Sequence, residues 1–316
     1  MLEIKNVYKT FNADTVNEKV ALQDMNLTLE DGDFVTVIGC NGAGKSTMLN
    51  AVAGVWPIDM GDGIKNRLHV SISVICDESR IYDEEASRHN WSAFQPHTMV
   101  NKTLSKEDMC DIYDSKFVKV ERIKNKYYDH LMSLANTGKC PICGIGQAST
   151  LDHYLAKTIY PTYAVTPYNL VAVCKDCNFA KSDSIMIPDS APLHPYYDEV
   201  DSINWLKAQL IERDEGIVAE FSVSQDLQKS DVCLYQRLKR HMDLYHLNKA
   251  YAIQATTEIA ENLPFWKKKY KEWGREEFKT YLTELLAAKE SFQYNTWNTA
   301  LLRALIENND IVVSEE

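Results

Sequence analysis

The sequence predicts an α+β protein in three parts: a short αβ piece, a small ββα unit and a mostly helical remainder. A glycine-rich loop, Gly39–Ser46, follows an apolar stretch and precedes a helix-forming one. Two C-x-x-C pairs, which begin at Cys140 and Cys174, enclose short alternating segments. After Tyr197, apolar residues recur at the spacing of one helix face.

Composition places the chain among ordinary globular proteins. Its 316 residues suffice for about two domains. Hydrophobic residues make up 45% and charged residues 25%, which excludes disordered and fibrous classes. No apolar run reaches the roughly 20 residues that a membrane helix needs, and Met1–Lys5 alternates like a strand instead of opening a secretory signal. The sequence therefore predicts a cytoplasmic protein.

Residues 1–63 form the first predicted region. Short strands are expected in its first thirty residues, and another at Phe34–Ile38, directly before the glycine-rich loop. A helix is expected over Ser46–Ala53. The order strand, phosphate-type loop and helix is typical of a P-loop αβ unit.

Residues 64–196 form the second predicted region, with a core at 138–185. The apolar stretch Val70–Ile75 predicts a strand. A helical segment is expected from Ser105, a suitable N-cap residue, to Ala135.

Residues 197–316 form the third, mostly helical region. Ile217–Val223 is expected to be a strand between helices, and Pro264 fits the first turn of a late helix. Helical spacing is seen in three groups: Trp205, Leu206 and Leu210; Leu234, Leu238, Met242 and Tyr245; Tyr281, Leu282, Leu285 and Leu286.

The charge distribution argues against a protein that binds nucleic acid through an extended basic surface. The formal net charge is -11. Only a locally positive region of the surface could therefore attract a phosphate group. Lys116–Lys126 is locally basic. The sequence favours a solvated helix face for this segment over a phosphate-binding one.

The cysteine pairs indicate a metal site. Cys140 and Cys143 precede Cys174 and Cys177 by thirty intervening residues. In a cytosolic chain such pairs are more often metal ligands than disulfides. Four thiolates satisfy tetrahedral Zn²⁺ and leave it no open position, so the predicted zinc is structural.

A recognisable motif lies between and after these cysteines. It comprises Leu151-Asp152-His153, then Asn169-Leu-Val, then Cys174-x-x-Cys-Asn178-x-x-Lys181. This pattern closely resembles the HNH (ββα-metal) endonucleases of the four-cysteine type. The resemblance implies a zinc-braced ββα-metal core. The fold expected for the whole chain is therefore a truncated P-loop αβ piece, followed by this core within a mostly helical domain. The expected core has strands at Thr150–Ala156 and Asn169–Cys174 and a helix from about Asp176.

The residue types suit phosphodiester hydrolysis. His153 is the candidate general base, because a neutral imidazole accepts a proton near pH 7. Asp152 offers a carboxylate for catalytic Mg²⁺ or Mn²⁺, and the resemblance implies Asn178 as the second ligand. It also implies that Asn169 holds the hairpin loop. Lys181 is expected to meet a phosphate oxygen.

Alternatives to this interpretation remain open. The cysteines could form a zinc ribbon that binds nucleic acid without cutting it, with His153 structural. One departure from the expected motif is Ala156, where a proline is expected in this subfamily. The wider stretch from about Val100 is similar to nuclease subunits of Septu-like bacterial defence systems. That similarity implies nucleic acid, favouring DNA, as substrate, and a separate ABC/SMC-type ATPase subunit as a partner.

The glycine-rich loop satisfies the Walker A pattern. Its backbone amides are expected to surround phosphates, while Lys45 reaches the β and γ oxygens and Ser46 contacts Mg²⁺. Residues 1 to about 62 resemble the start of an ABC transporter ATP-binding subunit, so ATP is a possible second ligand. The predicted nucleotide-binding residues are Gly39, Asn41, Gly42, Gly44, Lys45, Ser46 and Thr47.

The remaining ATPase motifs are not found in the sequence. No Leu-Ser-Gly-Gly-Gln signature occurs, and the one Walker B-like stretch, Val70–Glu78, follows Lys45 too closely. Residues 1–63 are therefore interpreted as a truncated module that is joined to the rest of the chain near Asp62–Lys65. Gene fusion, recombination or an assembly error would each give such a junction. An incomplete ABC transporter ATPase is the main alternative to a nuclease.

Overall fold

A computed structural model of the chain gives the architecture. It describes residues 2–12, 15–40, 42–53, 55, 64–135, 137–183, 185–214 and 216–313. The predicted site residue Asn41 and the first two residues of the predicted junction, Asp62 and Gly63, lie outside these residues.

The N-terminal region is an antiparallel hairpin followed by a short helix. Strand β1 (Leu2–Phe11) pairs with β2 (Lys19–Leu29), with register shifts between Ile4 and Thr10. Helix α1 (Lys45–Val52) confirms the helix predicted at Ser46–Ala53. A small apolar cluster, separate from the main core, joins the hairpin to this helix; it contains Ile4, Val7, Leu22 and Met48.

The strand predicted at Phe34–Ile38 is wrong. These residues have no regular secondary structure, and Phe34 and Ile38 are almost fully exposed. A buried parallel strand needs neighbours on both sides, and β1 and β2 pair only with each other among the described strands. The apolar pattern therefore has no sheet in which to be buried.

The strand predicted at Val70–Ile75 is also wrong. It lies inside helix α2 (Ile64–Ser87), so the Walker B-like stretch is helical. A short apolar run does not distinguish a strand from a helix. Here the helix buries Ile75, Tyr82 and Ala86, and the residues between them are half-buried or exposed.

The helical segment predicted from Ser105 is confirmed in position but is interrupted. A two-residue pair, β3 (Met99–Val100) and β4 (Leu104–Ser105), precedes it. Ser105 caps α3 by accepting a hydrogen bond from the Asp108 backbone amide at 3.1 Å. The segment comprises α3 (Lys106–Asp111), a π-helical turn (Ile112–Phe117), α4 (Glu121–Ile123), a second π-helical turn (Lys124–Tyr128) and α5 (Asp129–Ser133).

Two short strands and a helix form the predicted ββα arrangement. Strand β5 (Thr150–His153) pairs antiparallel with β6 (Leu170–Val173), with Asp152 opposite Val171. Helix α6 (Lys175–Lys181) follows at once. Cys174 is its N-cap, and its sulfur accepts from the Cys177 amide. These bounds lie within a few residues of those expected from the sequence.

Among its described residues, the C-terminal region contains one hairpin, five α-helices and a final short 3-10 helix (Asn309–Val313). Strand β7 (Leu206–Arg213) pairs with β8 (Gly216–Val223), which confirms the strand predicted at Ile217–Val223. The helices are α7 (Gln225–Ser230), α8 (Val232–Leu244), α9 (Leu247–Trp273), α10 (Arg275–Glu290) and α11 (Trp297–Glu307).

Two predictions in this region are wrong. Leu206 and Leu210 lie in β7, not in a helix. Leu206 and Ala208 pair with Val223 and Phe221 of β8, and this pairing determines the conformation of the segment more strongly than the helical spacing does. Pro264 lies inside α9 and not in its first turn.

The main hydrophobic core connects the ββα unit to the C-terminal region. It includes all four paired cysteines, Tyr82 and Trp91 near the end of α2, and residues of β7 to α11. Helix α8 and strand β8 thus pack in the same core as the cysteine cluster. None of the described helices is long and apolar enough to cross a membrane.

Candidate functional site

The four paired cysteines form a cluster with the size of a zinc site. All four sulfurs lie within 4.8 Å of one another and are buried. The Cys143 and Cys174 sulfurs are 3.8 Å apart. A tetrahedral Zn²⁺ with bonds of about 2.3 Å has ligands about 3.8 Å from each other. The donor set and its spacing therefore fit a structural zinc.

Gly146 is required by the close packing of this cluster. A Cβ at this position would lie 2.7 Å from the Cys174 Cβ and 2.9 Å from its sulfur. The Gly146 carbonyl accepts from the Cys140 amide at 2.7 Å, and its own amide donates to the Cys143 sulfur at 3.4 Å. Sequence reasoning missed this residue, although its place just after a C-x-x-C pair was a usable signal.

The ionisation of the buried thiols is coupled: hydrogen bonds from the neighbouring thiols lower the pKa of Cys143. Hydrogen bonding from Cys140 and Cys143, together with burial, raises the pKa of Cys177 above its usual value. Four thiolates in one buried cluster need a cation to balance their charge. A zinc ion would supply that charge.

Asp152 is paired with a buried lysine. The Lys181 ammonium lies 3.2 Å from one Asp152 carboxylate oxygen and 3.4 Å from the other. It also donates to the His153 backbone carbonyl. Burial raises the pKa of Asp152, and the Lys181 charge acts in the opposite direction. Lys181 was expected to meet a phosphate; in this structure it neutralises the carboxylate that a cation would use.

His153 is a neutral, buried imidazole. Its Nε2 lies 2.9 Å from the Ala164 carbonyl oxygen. That oxygen can only accept, so Nε2 carries the proton and Nδ1 carries the lone pair. Burial lowers the pKa of His153 to about 3. Burial therefore keeps the ring neutral and opposes its protonation in this structure.

His153 and Asp152 face different sides of the hairpin. Successive strand residues alternate, so Asp152 shares its side with Thr150 and with the residues of α6. The imidazole instead meets Tyr113 edge-on, with ring centroids 4.3 Å apart. No hydrogen bond among the described residues joins the imidazole to Asp152 or Asn178. Sequence reasoning gave no signal for Tyr113.

Asn178 is held beside β5. Its amide nitrogen donates to the Thr150 hydroxyl at 3.5 Å. This places the Asn178 side chain on the same side of the hairpin as Asp152 and Lys181. The structure thus brings together three of the four residues predicted around the cation.

Asn169 clamps the loop between the two strands. Its Oδ1 accepts from the Leu155 amide at 2.6 Å, and its Nδ2 donates to the Leu155 and Tyr163 carbonyls at 3.0 Å each. The Tyr82 hydroxyl donates to the same Oδ1 at 3.2 Å. These bonds fix the loop that carries Ala164, the partner of His153. Tyr82, on α2, was not predicted.

The glycine-rich loop has some features of a phosphate-binding loop. Gly44 has a φ of 84° and precedes α1; a Cβ there would lie 2.2 Å from the Ala21 carbonyl oxygen. The Lys45 ammonium binds the Gly39 and Cys40 carbonyls at 2.5 and 2.8 Å. Gly42 also has a positive φ, of 86°. Ser46 and Thr47 lie in the first turn of α1.

The comparisons with known proteins concern mainly the N-terminal part. Residues 22–140 match the family model described as ABC transporter. Phosphonates import ATP-binding protein PhnC 1 of Halalkalibacterium halodurans is 41% identical over 71 residues, or 22% of this chain and 26% of that protein. Spermidine/putrescine import ATP-binding protein PotA of Haemophilus influenzae is 30% identical over 100 residues, which are 31% of this chain and 23% of that protein.

A second type of relative covers more of the chain. Protein ea31 of Escherichia phage lambda is 27% identical over 173 residues, which are 53% of this chain. The chain thus spans 57% of that relative and about a quarter of the ATP-binding proteins. No solved structure matches. The comparisons support an ABC ATP-binding-like segment in the N-terminal part and name no nuclease, so they favour the ATP-binding alternative.

Proposed function

We propose that the ββα unit is the catalytic core of a metal-dependent HNH-type endonuclease that hydrolyses phosphodiester bonds of nucleic acid, with DNA as the favoured substrate. The observation that carries this proposal is the cysteine cluster of zinc-site dimensions at the base of β6 and α6. Within the unit that it braces lie a carboxylate (Asp152), an amide (Asn178), an ammonium (Lys181) and a neutral imidazole (His153).

The residues of this unit fit a divalent cation. The carboxylate of Asp152 and the amide oxygen of Asn178 are hard ligands of the kind that Mg²⁺ and Mn²⁺ prefer. A bound cation would neutralise phosphate charge and acidify water. Lys181, displaced from Asp152, would then be available to a phosphate oxygen.

His153 supplies the proton acceptor. Its Nδ1 takes a proton from the attacking water while the water oxygen forms a bond to phosphorus. The bond from phosphorus to the leaving sugar oxygen breaks, and that oxygen is protonated from solvent. The Ala164 carbonyl holds the Nε2 proton and stabilises the imidazolium that forms. Asp152 and His153 face opposite sides of β5 in this structure, so the end of the strand would have to turn for both side chains to reach one phosphate.

Nicking of supercoiled plasmid tests the proposal. Wild type is expected to nick when Mg²⁺ or Mn²⁺ is added and not when both are omitted. Omission is preferable to strong chelation, since a chelator would also remove zinc. His153→Ala is expected to slow nicking by roughly 10²- to 10⁴-fold, the usual contribution of a general base.

His130→Ala is the matched control, because His130 is exposed on α5 and its loss should leave the rate unchanged. Zinc content and thermal melting check that His153→Ala keeps its fold. Equal nicking by wild type and a folded His153→Ala would reject His153 as the base. Normal DNA binding without nicking in any metal would instead support a non-catalytic zinc module.

A second function is supported by the comparisons. We infer that residues 39–47 bind the phosphates of ATP, as the family match over residues 22–140 suggests. The positive φ of Gly42 and Gly44 is compatible with a loop whose amides face an anion. In an ABC-type ATPase the loop would be supported by a parallel sheet, and no parallel strands occur among the described residues.

Nucleotide binding separates this function from the first. ATP with Mg²⁺ should protect the N-terminal region from proteolysis in wild type and not in Lys45→Ala. Hydrolysis is measured in parallel as phosphate release. If Lys45→Ala changes neither protection nor hydrolysis, the loop has no nucleotide function in this chain. Nicking is expected to be the same in both proteins.

A further inference from the structure

One aromatic side chain of α6 is left in solvent beside the proposed catalytic residues. Phe179 directly follows Asn178 and is 89% exposed. Its neighbours on the other side of the helix, Cys177 and Lys181, are buried. The helix itself is fixed at its start by the cysteine cluster. Phe179 therefore projects from a rigid element, not from a loop.

Exposure of a phenyl ring is unfavourable, and none of the residues that the structure describes covers the ring of Phe179. Isolated exposed apolar residues are common on proteins and need no explanation by themselves. Phe179 differs because it lies next to a residue proposed to bind the catalytic cation. A substrate phosphate held at Asp152 and Asn178 would bring nucleobases within reach of the same helix.

An exposed lysine side chain lies one helical turn before the Phe179 ring. Lys175 is exposed and precedes Phe179 by four residues, so the two side chains project from one side of α6. Lys175 has no carboxylate within 4.0 Å among the described residues. This edge of α6 thus presents a positive charge and an apolar ring from two positions whose Cβ atoms are roughly 6 Å apart.

We propose that the Lys175–Phe179 edge of α6 holds one nucleotide of the substrate strand, with the phosphate at Lys175 and the base stacked on Phe179. This inference rests on the proposed nuclease function and assigns the substrate contact next to the site. Base stacking on an aromatic ring is tolerant of sequence, because every base has a π face. The edge therefore contributes affinity and position, not sequence preference.

Binding to two 20-nucleotide strands tests the proposal. One strand is oligodeoxythymidine, and the other has the same backbone with every base replaced by tetrahydrofuran. Zinc-loaded protein is used without Mg²⁺ or Mn²⁺, so that no cleavage occurs. Phe179→Ala is expected to bind the thymidine strand roughly tenfold more weakly than wild type. On the abasic strand the two proteins are expected to bind equally.

Three further variants sharpen the comparison. Phe179→Trp is expected to restore binding, because indole also stacks on bases. Phe292→Ala is the matched control: Phe292 is 77% exposed but follows α10, and its loss should change neither affinity. Lys175→Gln is expected to weaken binding to both strands and to reduce the slope of log Kd against log salt by about 0.7, the value for one phosphate of a single strand.

The outcomes distinguish this inference from the proposed function. Equal affinity of Phe179→Ala and wild type for the thymidine strand would overturn the base contact, as would an equal loss on the abasic strand. A dimer in sedimentation that Phe179→Ala abolishes would assign the ring to a second copy of the chain and overturn it too. If the affinity pattern holds while no metal supports nicking, the hydrolase is rejected and the nucleotide contact stands.

Discussion

Asn169 illustrates how a single polar residue determines the shape of the candidate site. It is completely buried. Its side-chain amide oxygen and amide nitrogen both form hydrogen bonds with the loop between β5 and β6. A buried amide in this position is stable only because each of its atoms has a partner. Its bonds fix the ends of the loop that presents the Ala164 carbonyl to His153, so the tautomer of the proposed base depends on Asn169.

Replacing Asn169 by alanine is expected to lower the free energy of unfolding by about 3 kcal/mol or more. The substitution leaves the Leu155 amide and two carbonyls without partners in a buried place, at about 1–3 kcal/mol for each such group. Tyr82→Phe removes a single hydroxyl partner of the same amide and should cost about 1 kcal/mol.

Urea unfolding in the presence of zinc measures both variants. A loss in Asn169→Ala no larger than that in Tyr82→Phe would contradict the view that this amide fixes the loop. The nicking rate of the folded fraction should also fall in Asn169→Ala, because the Ala164 carbonyl would no longer be held against His153.

Among the elements, the ββα unit depends on its cysteine cluster. The strands β5 and β6 have four residues each and α6 has seven. Elements of this size form few hydrogen bonds of their own, and small units commonly need a metal for stability. The sulfurs lie where the elements meet: Cys174 ends β6 and caps α6, and Cys177 lies in its first turn.

Gly146→Ala is expected to release zinc and lower the melting temperature. The added Cβ would lie within 3.0 Å of the Cys174 Cβ and sulfur, so the ligand would have to move. Gly144→Ala is the matched control in the same loop, because a Cβ there has no atom within 4 Å. Its positive φ of 67° still costs about 1 kcal/mol, without affecting the ligands.

Atomic absorption and thermal melting distinguish the two glycine variants. We expect one zinc for each wild-type and each Gly144→Ala chain, and substantially less for Gly146→Ala. A full zinc complement and an unchanged melting temperature in Gly146→Ala would show that the cluster is looser than the structure indicates.

For the whole molecule, local patterns predicted the ββα elements and the clustering of the four cysteines well and their surroundings poorly. The cysteine spacing and the alternating segments are properties of neighbouring residues, so β5, β6 and α6 could be predicted from the sequence. The conformation of Phe34–Ile38 could not, because a strand forms only where a sheet accepts it. Leu206 lies in a strand because β8 pairs with it, although its spacing to Leu210 is helical.

The candidate site shows the same division. Asp152, His153, Asn169, Asn178 and Lys181 belong to one motif and were predicted from it. Tyr113, which packs on His153, and Tyr82, which binds Asn169, come from helical segments 40 and 87 residues earlier in the chain. Such contacts arise from tertiary packing and leave no mark in local sequence. The same packing determined that Lys181 binds Asp152, whereas the sequence predicted that Lys181 meets a phosphate oxygen.

The acid sensitivity of the whole fold follows from three buried histidines. Burial lowers the pKa of His153 and His194 to about 3 and that of His241 to about 4, against 6.5 in an unfolded chain. Because their pKa values are lower in the folded than in the unfolded state, the folded state favours the neutral imidazoles. Their contribution to the free energy of unfolding is fully present above pH 6.5. It is lost as the pH falls from 6.5 towards 4, where the unfolded state binds protons that the folded state does not.

Near pH 5 the free energy of unfolding should therefore fall by about 4 kcal/mol per pH unit, or about 1.4 for each histidine. Urea titrations at pH 7.5, 6, 5.5 and 5 with zinc present measure this slope. His241→Gln keeps a donor for the Ile142 carbonyl, which His241 now binds at 3.2 Å, and should reduce the slope by about a third. Thiols and carboxylates are the same in both proteins, so an equal slope in wild type and His241→Gln would show that the acid sensitivity comes from those groups and not from the buried imidazoles.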